Sequence, residues 1–231
     1  MPWGKWQKEI TVSKFCRGGV SPFVSTRVAV LASGGGTNLQ ALIDAQHRGA
    51  LGGGIIAGVI ASNPEAYALT RAAHAGIPAA VVSRKDYDSR ERFTEAIIQE
   101  LHGFRADLVV LAGFNFILSP VFAETYRHRV LNVHPALIPA FCGKGFYGMK
   151  VHEAVLASGV KLTGATVHIA DEVCDGGPII LQKAIPVLPD DTPETLQRRV
   201  MEQCEWDLLP KATALFCAGK IRIVENRTVI T

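Results

Sequence analysis

From Arg27 onward, short apolar runs alternate with longer segments of helical periodicity, and this alternation constrains the fold more than any other feature of the sequence. Strands and helices that alternate in this way pack as a mainly parallel sheet covered by helices. The predicted strands cover residues 28–32, 55–61, 79–82, 108–112 and 130–133. The predicted helices between them cover residues 38–48, 65–75 and 90–102, and the last two end at Gly76 and Gly103.

The alternation changes after Pro135. A glycine-rich loop leads to a predicted helix at residues 151–157, and two extended runs follow at 165–170 and 179–186. These runs indicate an antiparallel addition to the sheet. We therefore expect a single α/β domain over residues 27–231, with a mainly parallel, open, Rossmann-like sheet and an antiparallel C-terminal addition.

A last long helix is predicted to begin near Thr192, which is an N-cap candidate followed by a proline at the first helical position. The helical pattern continues towards Ala218. Because proline lacks a backbone N–H and clashes with the preceding turn, Pro210 is expected to kink or divide this helix.

Composition excludes several classes of protein. The net charge is +3 and no long Lys or Arg run is present, which argues against a dedicated nucleic-acid surface and leaves room for a local phosphate or carboxylate site. No apolar run approaches the roughly 18 residues of a membrane span. The five cysteines are odd in number and lack CxxC spacing, so neither a disulfide framework nor a zinc site is indicated. A cytoplasmic protein is expected.

Residues 1–26 form a predicted N-terminal extension that we expect to be poorly ordered. Its excess of Lys and Arg is compatible with an organellar targeting peptide, an upstream start-site artefact or a flexible tail. The last two are favoured, because the aromatic residues of this stretch form no clear basic amphipathic helix. These residues are Trp3, Trp6, Phe15 and Phe23.

The first chemical motif is a glycine loop, which lies between a predicted strand and a predicted helix. It reads Ser33-Gly34-Gly35-Gly36-Thr37-Asn38. Glycines let the backbone approach a ligand, and the free N–H groups of a helix N-terminus favour an anion such as phosphate. The loop is neither a GxGxxG nor a Walker motif. A tight turn capped by Thr37 or Asn38 is the structural alternative.

The second motif places Asn132 and His134 at the C-terminal end of a buried-looking strand, where ligands bind in open α/β sheets. Residues i and i+2 of a strand point to the same side, so both side chains can face one substrate atom. An amide beside an imidazolium suits the stabilisation of an oxyanion. The alternative is a histidine that makes only structural hydrogen bonds.

The third motif is the acidic turn Asp171-Glu172-Val173-Cys174-Asp175-Gly176-Gly177-Pro178. A carboxylate held near His134 would raise the pKa of the histidine and favour its protonated form. An ordinary Asp-Gly hairpin turn is the alternative.

Other catalytic chemistries are less well supported. His152 and His168 lack the spacing of metal ligands, so no metal is expected. Ser33 and Ser62 lack a GxSxG elbow, which argues against a serine hydrolase. Cys142 lies in a glycine-rich loop that would hold a nucleophile poorly, and Lys144 of the same loop is expected to cover or steer a charged ligand.

Taken in order, these motifs resemble those of the folate-dependent formyltransferases, and in particular the phosphoribosylglycinamide formyltransferase family. The resemblance covers residues 27–224. Its motifs are at 33–38, 111–114, 132–139, 163–168 and 175–178. Each is modest alone, and the ordered set is highly specific.

The resemblance implies a role for individual residues. The implied catalytic set is Asn132, His134 and Asp175. The implied substrate-binding residues are Gly36, Thr37 and Asn38, which hold a ribonucleotide phosphate, together with Glu205. The implied folate-binding residues are Arg90, Asn115, Phe116, Ile117, Leu118 and Asn132. The family often has Met-Arg in place of Asn115-Phe116, so this segment is expected to act largely through its backbone.

The reaction implied by the resemblance is direct transfer of a formyl group from 10-formyltetrahydrofolate, as co-substrate, to the amine of glycinamide ribonucleotide in purine synthesis. No covalent enzyme intermediate and no metal are implied. The expected partners are small molecules, with neither nucleic acid nor membrane, and the expected assembly is a monomer or homodimer.

Three alternatives remain. Methionyl-tRNA formyltransferases are expected to carry a C-terminal barrel and formyltetrahydrofolate hydrolases a regulatory N-terminal domain, so both are disfavoured by the length of this chain. A non-catalytic nucleotide-binding module would use the glycine loop and leave Asn132, His134 and Asp175 without a purpose.

Overall fold

The main sheet of the protein has seven strands. The structure is a computed structural model that describes residues 10–11 and 25–231. Strand β1 (Ile10–Thr11) lies in a second, smaller sheet. The main sheet contains β2 (Thr26–Ala32), β3 (Gly54–Ala61), β4 (Ala79–Val81), β5 (Leu108–Leu111), β6 (Val130–His134), β7 (Leu162–Ile169) and β8 (Ile179–Pro186). Most of the predicted extension 1–26 therefore falls outside the described residues.

The strand order of the main sheet is β4-β3-β2-β5-β6-β7-β8. Strands β2 to β6 pair in parallel, whereas β7 pairs antiparallel with both β6 and β8. This confirms the predicted α/β class, the mainly parallel sheet and the antiparallel addition. The chain reverses its direction of progress across the sheet between β2 and β5, and ligands of open α/β sheets bind at such a switch point.

Within the part of the chain that the structure describes, seven α-helices lie between and after these strands. They are α1 (Thr37–His47), α2 (Tyr67–His74), α3 (Arg90–Gly103), α4 (Pro120–Thr125), α5 (Met149–Ser158), α6 (Pro193–Val200) and α7 (Trp206–Cys217). Every helix and strand predicted before the final helix is present, with ends within three residues of the predicted ones. Helix α4 was not predicted, because its six residues are too few to show a helical period.

The predicted final helix is divided at a different place from the one expected. A π-helical turn, Met201–Glu205, separates α6 from α7, whereas Pro210 lies inside α7. Pro210 cannot donate to the carbonyl of Trp206, and the wider turn just before Trp206 accommodates the break. Pro210 was predicted to kink or divide the helix. The helix is divided, but the division lies before Trp206 and not at Pro210. Thr192 is the N-cap residue of α6, as predicted, and it forms a capping box with Thr195.

Apolar side chains cover both faces of the sheet. One face packs against α1 and α7 through residues such as Leu39 and Leu209, and the other against α3 and α4 through Phe93 and Phe122. Complete burial of a side chain of this size contributes about 1.5–3 kcal/mol. The two layers hold the carboxyl ends of β2, β5 and β6 at one rigid edge of the sheet.

A small antiparallel sheet joins the two ends of the chain. Strand β9 (Ile221–Val224) pairs with β1 on one side and with β10 (Arg227–Ile230) on the other. Glu225 and Asn226 between β9 and β10 both have positive φ, as a tight two-residue hairpin turn requires. No helix within the part of the chain that the structure describes combines the length and apolar character of a membrane span.

Candidate active site

A cavity of about 910 Å³ opens at the carboxyl edge of the parallel strands. Its size suits a ligand of coenzyme dimensions. The loops that follow β2, β5 and β6 form its walls, together with the turn between β7 and β8. The predicted site residues all line this cavity, namely Gly36, Thr37, Asn38, Arg90, Asn115, Phe116, Ile117, Leu118, Asn132, His134, Asp175 and Glu205.

Asn132 and His134 lie at the end of β6 and converge on Asp175. Nδ2 of Asn132 is 3.3 Å from Oδ1 of Asp175, and Nδ1 of His134 is 3.6 Å from Oδ2 of the same carboxylate. The alternation of strand side chains explains why residues 132 and 134 share one side. The approach of Asp175 comes from the antiparallel addition, which returns the turn between β7 and β8 to the end of β6.

The carboxylate of Asp175 is surrounded by hydrogen-bond donors. Its side chain is 8% exposed, and the backbone N–H of Gly143 donates to Oδ2 at 2.8 Å. Burial by itself raises the pKa of Asp175, but hydrogen bonding by His168, the charge of His134 and the N–H of Gly143 together lower it to about 2. Asp175 is therefore ionised at neutral pH. It adopts this position with a left-handed backbone, φ 56°.

Burial lowers the pKa of His134 below its ordinary value, although the charge of Asp175 and a hydrogen bond to Phe141 oppose this effect. Asp175 therefore acts on the pKa of this histidine in the predicted direction, but the expected net rise is wrong, because the loss of solvation outweighs the nearby charge. Nε2 of His134 lies 2.8 Å from the carbonyl oxygen of Phe141. That oxygen can only accept, so Nε2 carries the hydrogen in this contact.

His168 completes this group, although its contribution was not predicted. It lies on β7 directly opposite Asn132, and its Nε2 is 3.1 Å from Nδ2 of Asn132 and 3.5 Å from Oδ1 of Asp175. The signal in the sequence was a histidine in an otherwise apolar run. Only the register between β6 and β7 shows which residue it faces.

His152 is a second histidine of the cavity wall that was not predicted to take part. It is 1% exposed, on α5, and burial together with the charge of His134 lowers its pKa to about 4. Within residues 10–11 and 25–231, its Nδ1 has no hydrogen-bond partner. His152 is thus a neutral side chain at neutral pH, next to the histidine at the centre of the site.

The glycine loop forms one end of the cavity, between β2 and α1. Gly36 has a φ of 67°, and a Cβ atom at this position would lie 2.8 Å from Cα and Cβ of Ala68. Only glycine fits here, because both the backbone angle and the space exclude a side chain. The carbonyl of Gly34 accepts from the N–H of Ala68 at 3.1 Å, and that of Gly35 accepts from Nε of Arg71 at 2.9 Å.

Behind the glycine loop, Asn38 and Glu205 form a buried pair. Nδ2 of Asn38 donates to Oε2 of Glu205 at 2.6 Å, while Oδ1 of Asn38 has no hydrogen-bond partner among the residues that the structure describes. Burial raises the pKa of Glu205 to about 7, and the hydrogen bond from Asn38 opposes the shift. Glu205 is the last residue of the π-helical turn, a feature that often occurs at functional sites.

Apolar and aromatic residues form the opposite end of the cavity. The ring of Phe93 on α3 packs 6.4 Å from that of Phe114 and 5.5 Å from that of Phe116. Phe116 is 38% exposed and Ile117 is 59% exposed, so this segment offers apolar surface to the cavity. Arg90 lies at the rim, with a side chain that is 49% exposed.

The two cysteines near Asp175 are poor candidates for a nucleophile. Burial and the charge of Asp175 raise the pKa of both Cys142 and Cys174. A raised pKa lowers the fraction of reactive thiolate at neutral pH. Within residues 10–11 and 25–231, no cluster of three or more His, Cys, Asp or Glu side chains is arranged to hold a metal ion.

A family model matches most of the chain. Residues 26–213 match the model of a family described as formyl transferase. The chain is 38% identical over 200 residues to a phosphoribosylglycinamide formyltransferase of Haemophilus influenzae, a match that covers 87% of this chain and 91% of the relative.

A second relative is much longer than this chain. The trifunctional purine biosynthetic protein adenosine-3 of Bos taurus is 44% identical over 201 residues, which are 87% of this chain and 19% of that protein. The chain thus spans about a fifth of the length of this relative.

A solved structure shows the same architecture. The glycinamide ribonucleotide transformylase 1 of Symbiobacterium toebii has a TM-score of 0.84 and 39% sequence identity, covering 89% of this chain and 94% of that one. The sheet order, the ordered motifs and these matches lead to one conclusion: the chain belongs to the formyl transferase family and is a relative of the phosphoribosylglycinamide formyltransferases.

Proposed function

We propose that the protein transfers the formyl group of 10-formyltetrahydrofolate to the amine of glycinamide ribonucleotide, in the de novo synthesis of the purine nucleotide IMP. The observation that carries the proposal is the position of Asp175. It joins Asn132 and His134 in the middle of a cavity that has an anion-binding loop at one end and an aromatic, apolar segment at the other.

The glycine loop supports the binding of a phosphorylated substrate. The N-terminus of α1 follows directly after Gly36, so free N–H groups and the helix dipole favour a phosphate there. In the described part of the chain, Oδ1 of Asn38 lacks a hydrogen-bond partner, and Glu205 lies beside Asn38. Together they offer acceptors to the hydroxyl groups of a ribose attached to that phosphate.

The opposite end supports the binding of the folate. The surfaces of Phe116 and Ile117 suit a flat heterocycle, and the backbone of residues 115–118 offers hydrogen-bonding groups beside them. Arg90 at the rim supplies a cation for a carboxylate of the folate tail. The amine and the formyl carbon then meet between the two ends, next to Asn132 and His134.

The chemistry follows from the groups at this point. The substrate amine attacks the formyl carbon, a new C–N bond forms, and the carbonyl oxygen becomes an oxyanion. Asn132 and His134 are placed to donate to that oxygen. Because Nε2 of His134 contacts the carbonyl of Phe141 and Nδ2 of Asn132 contacts Asp175, the substrate oxygen must replace these contacts when it binds.

Asp175 has two roles in this scheme: its charge acts on His134, and its carboxylate carries a proton. Its carboxylate faces Nδ1 of His134, so its negative charge opposes the effect of burial on the pKa of this histidine. When the tetrahedral intermediate collapses, the bond between the formyl carbon and the folate nitrogen breaks. The attacking amine must lose a proton and the departing folate nitrogen must gain one. Asp175 is the ionised carboxylate positioned to carry that proton, either directly or through a water molecule.

An absorbance assay tests the proposal. Release of the deformylated folate from 10-formyl-5,8-dideazafolate is expected only when glycinamide ribonucleotide is added. Equal release with and without the ribonucleotide would instead identify a hydrolase. Nucleotide binding by calorimetry without any formyl transfer would identify a non-catalytic binding module.

The wider organisation is also part of the proposal. We infer that residues 27–231 form one formyltransferase domain that acts in the cytoplasm as a monomer or homodimer on small molecules. The free thiols of Cys142, Cys174 and Cys204 support a reducing compartment.

A further inference from the structure

Ser33 connects the two ends of the cavity. It follows β2 directly and precedes the glycine loop. Its Oγ accepts a hydrogen bond from Oγ of Ser62 at 2.7 Å and another from the backbone N–H of Asn115 at 3.0 Å. Its own backbone N–H donates to the carbonyl of Gly113 at 3.1 Å. Ser33 thus bonds with both its backbone and its side chain to the segment that follows β5.

These contacts cross the switch point of the sheet. Residues 34–38 form the proposed phosphate end, and residues 115–118 form the proposed folate end. The strands before them, β2 and β5, are neighbours, but the two segments leave the sheet as separate loops. The bond between Ser33 and Asn115 spans 82 residues of sequence and joins the loops where they diverge.

Ser62 fixes the hydroxyl of Ser33 from the other side. Ser62 is 5% exposed, at the end of β3, and its backbone N–H donates to the carbonyl of Ala32 at 3.1 Å. A buried neighbour therefore contacts Oγ of Ser33 on this side, while the contact with Asn115 on the other side is exposed to solvent. An alanine at position 33 would leave the N–H of Asn115 without this acceptor.

We propose that Ser33 is a positioning residue that sets the placement of the folate-binding segment relative to the phosphate loop. This inference rests on the proposed function. Ser33 acts through the backbone of Asn115 and does not take part in the chemistry. Transfer between two bound molecules depends on the distance between amine and formyl carbon, so a hydroxyl that holds the two loops in register affects rate as well as binding.

The size of the effect follows from one hydrogen bond. A typical intramolecular hydrogen bond contributes about 1 kcal/mol net, which corresponds to about a fivefold change in an equilibrium constant. Ser33→Ala is therefore expected to raise the KM for the folate about fivefold. It is also expected to lower kcat about tenfold, because misplaced reactants reach the attack geometry less often.

The experiment compares three variants by steady-state kinetics and thermal unfolding. Ser33→Ala should show both kinetic effects with a Tm within a few degrees of wild type. Ser33→Thr keeps the hydroxyl and should restore the folate KM to within about twofold. Ser62→Ala keeps the contact between Ser33 and Asn115 and should affect kcat less than Ser33→Ala does. If Ser33→Ala fails to fold, Ser33→Cys, with its weaker acceptor, should show the same direction of change.

The readouts separate positioning from a structural role. Ser33→Ala with wild-type KM and kcat, or with a lowered Tm alone, overturns the inference, as does a Thr variant no better than the Ala variant. Failure of the proposed function is recognised separately, because wild-type protein would then transfer no formyl group to glycinamide ribonucleotide.

Discussion

The cavity contains two carboxyl groups withdrawn from solvent, and their pKa values are shifted in opposite directions. The side chain of Asp175 is 8% exposed and the pKa of this residue is lowered to about 2. Glu205 is buried, and its pKa is raised to about 7. Burial by itself raises the pKa of both. Asp175 faces His134, His168 and the N–H of Gly143, whereas in the described part of the chain the hydrogen-bond donor to Glu205 is the amide of Asn38.

Burial alone therefore does not decide the charge of a carboxyl group, because the number and charge of the donors around it also shift its pKa. In the proposed reaction, an ionised Asp175 can accept a proton at the centre of the cavity. With a pKa of about 7, Glu205 is only about half ionised at neutral pH, so it can meet a ribose hydroxyl while placing less negative charge near the proposed phosphate than an ordinary glutamate would.

The largest expected effect is on activity, and it concerns Asp175, the carboxyl group whose pKa is lowered. Asp175→Asn removes the negative charge and keeps the shape, so kcat/KM should fall about 100- to 1000-fold or more, and His134→Ala should fall by a similar factor. Circular dichroism should show an intact fold. Asp171→Asn is the control, because Asp171 is exposed in the same turn, and it should retain activity within about threefold. Full activity of Asp175→Asn would contradict the assignment.

The next effect concerns Glu205, the carboxyl group whose pKa is raised. Since the pKa of Glu205 is raised from 4.5 to about 7, its contribution to stability is fully present below pH 4.5 and is lost as the pH rises through about 7. The loss amounts to about 3 kcal/mol at most. Glu205→Gln stays neutral, so urea unfolding at pH 5 and pH 8 should show wild type losing stability relative to this variant.

A control for the Glu205 measurement lies on the same helical turn. Glu202 is exposed, so Glu202→Gln should reproduce the pH dependence of wild type. Parallel stability curves for wild type and Glu205→Gln would mean that Glu205 titrates like a solvated glutamate.

Asp175 should show the opposite dependence in acid. Its pKa is lowered from 3.8 to about 2, so its contribution to stability is present above pH 3.8 and is lost as the pH falls through about 2. The contribution is about 2 kcal/mol. Urea unfolding between pH 5 and pH 3 should therefore bring wild type and Asp175→Asn closer together as the pH falls. A constant difference across this range would argue against the lowered pKa.

The smallest effect reduces the contrast between the two carboxyl groups. His168→Leu removes one partner of Asp175, so the pKa of Asp175 should rise towards its ordinary value. Loss of one hydrogen bond to a charged group costs about 1.5 kcal/mol, which corresponds to about a tenfold fall in kcat/KM. The acid limb of the pH–rate profile should move to higher pH. A lower rate with an unmoved acid limb would assign His168 to packing alone.

The sequence predicted the strands and helices that surround the cavity well, because each has a recognisable pattern within its own residues. The buried parallel strands β2 and β3 are nearly continuous apolar runs, and α3 ends at a glycine where expected. The short elements were missed. Strand β9 has four residues and α4 has six, too few for a period to appear.

Part of the candidate site was predictable for the same reason. The glycine loop lies between a strand and a helix, and Asn132 and His134 are two residues apart on one strand. His168 was not predictable as a neighbour of Asn132, since the register of β6 against β7 is set by packing. The effect of Asp175 on the pKa of His134 was predicted with the right sign, but the net shift was not, because a sequence does not show how deeply a side chain is buried.

By itself, the sequence determined the α/β alternation, the glycine loop and the shared side of Asn132 and His134, all of which depend on residues close together in the chain. The tertiary structure decided which distant groups meet. Asp175 reaches Asn132 across 43 residues, and Glu205 reaches Asn38 across 167. The pKa values of these two carboxyl groups shift in opposite directions because of their burial and of the donors around them. The burial and the donors exist only once the sheet and its helices have packed.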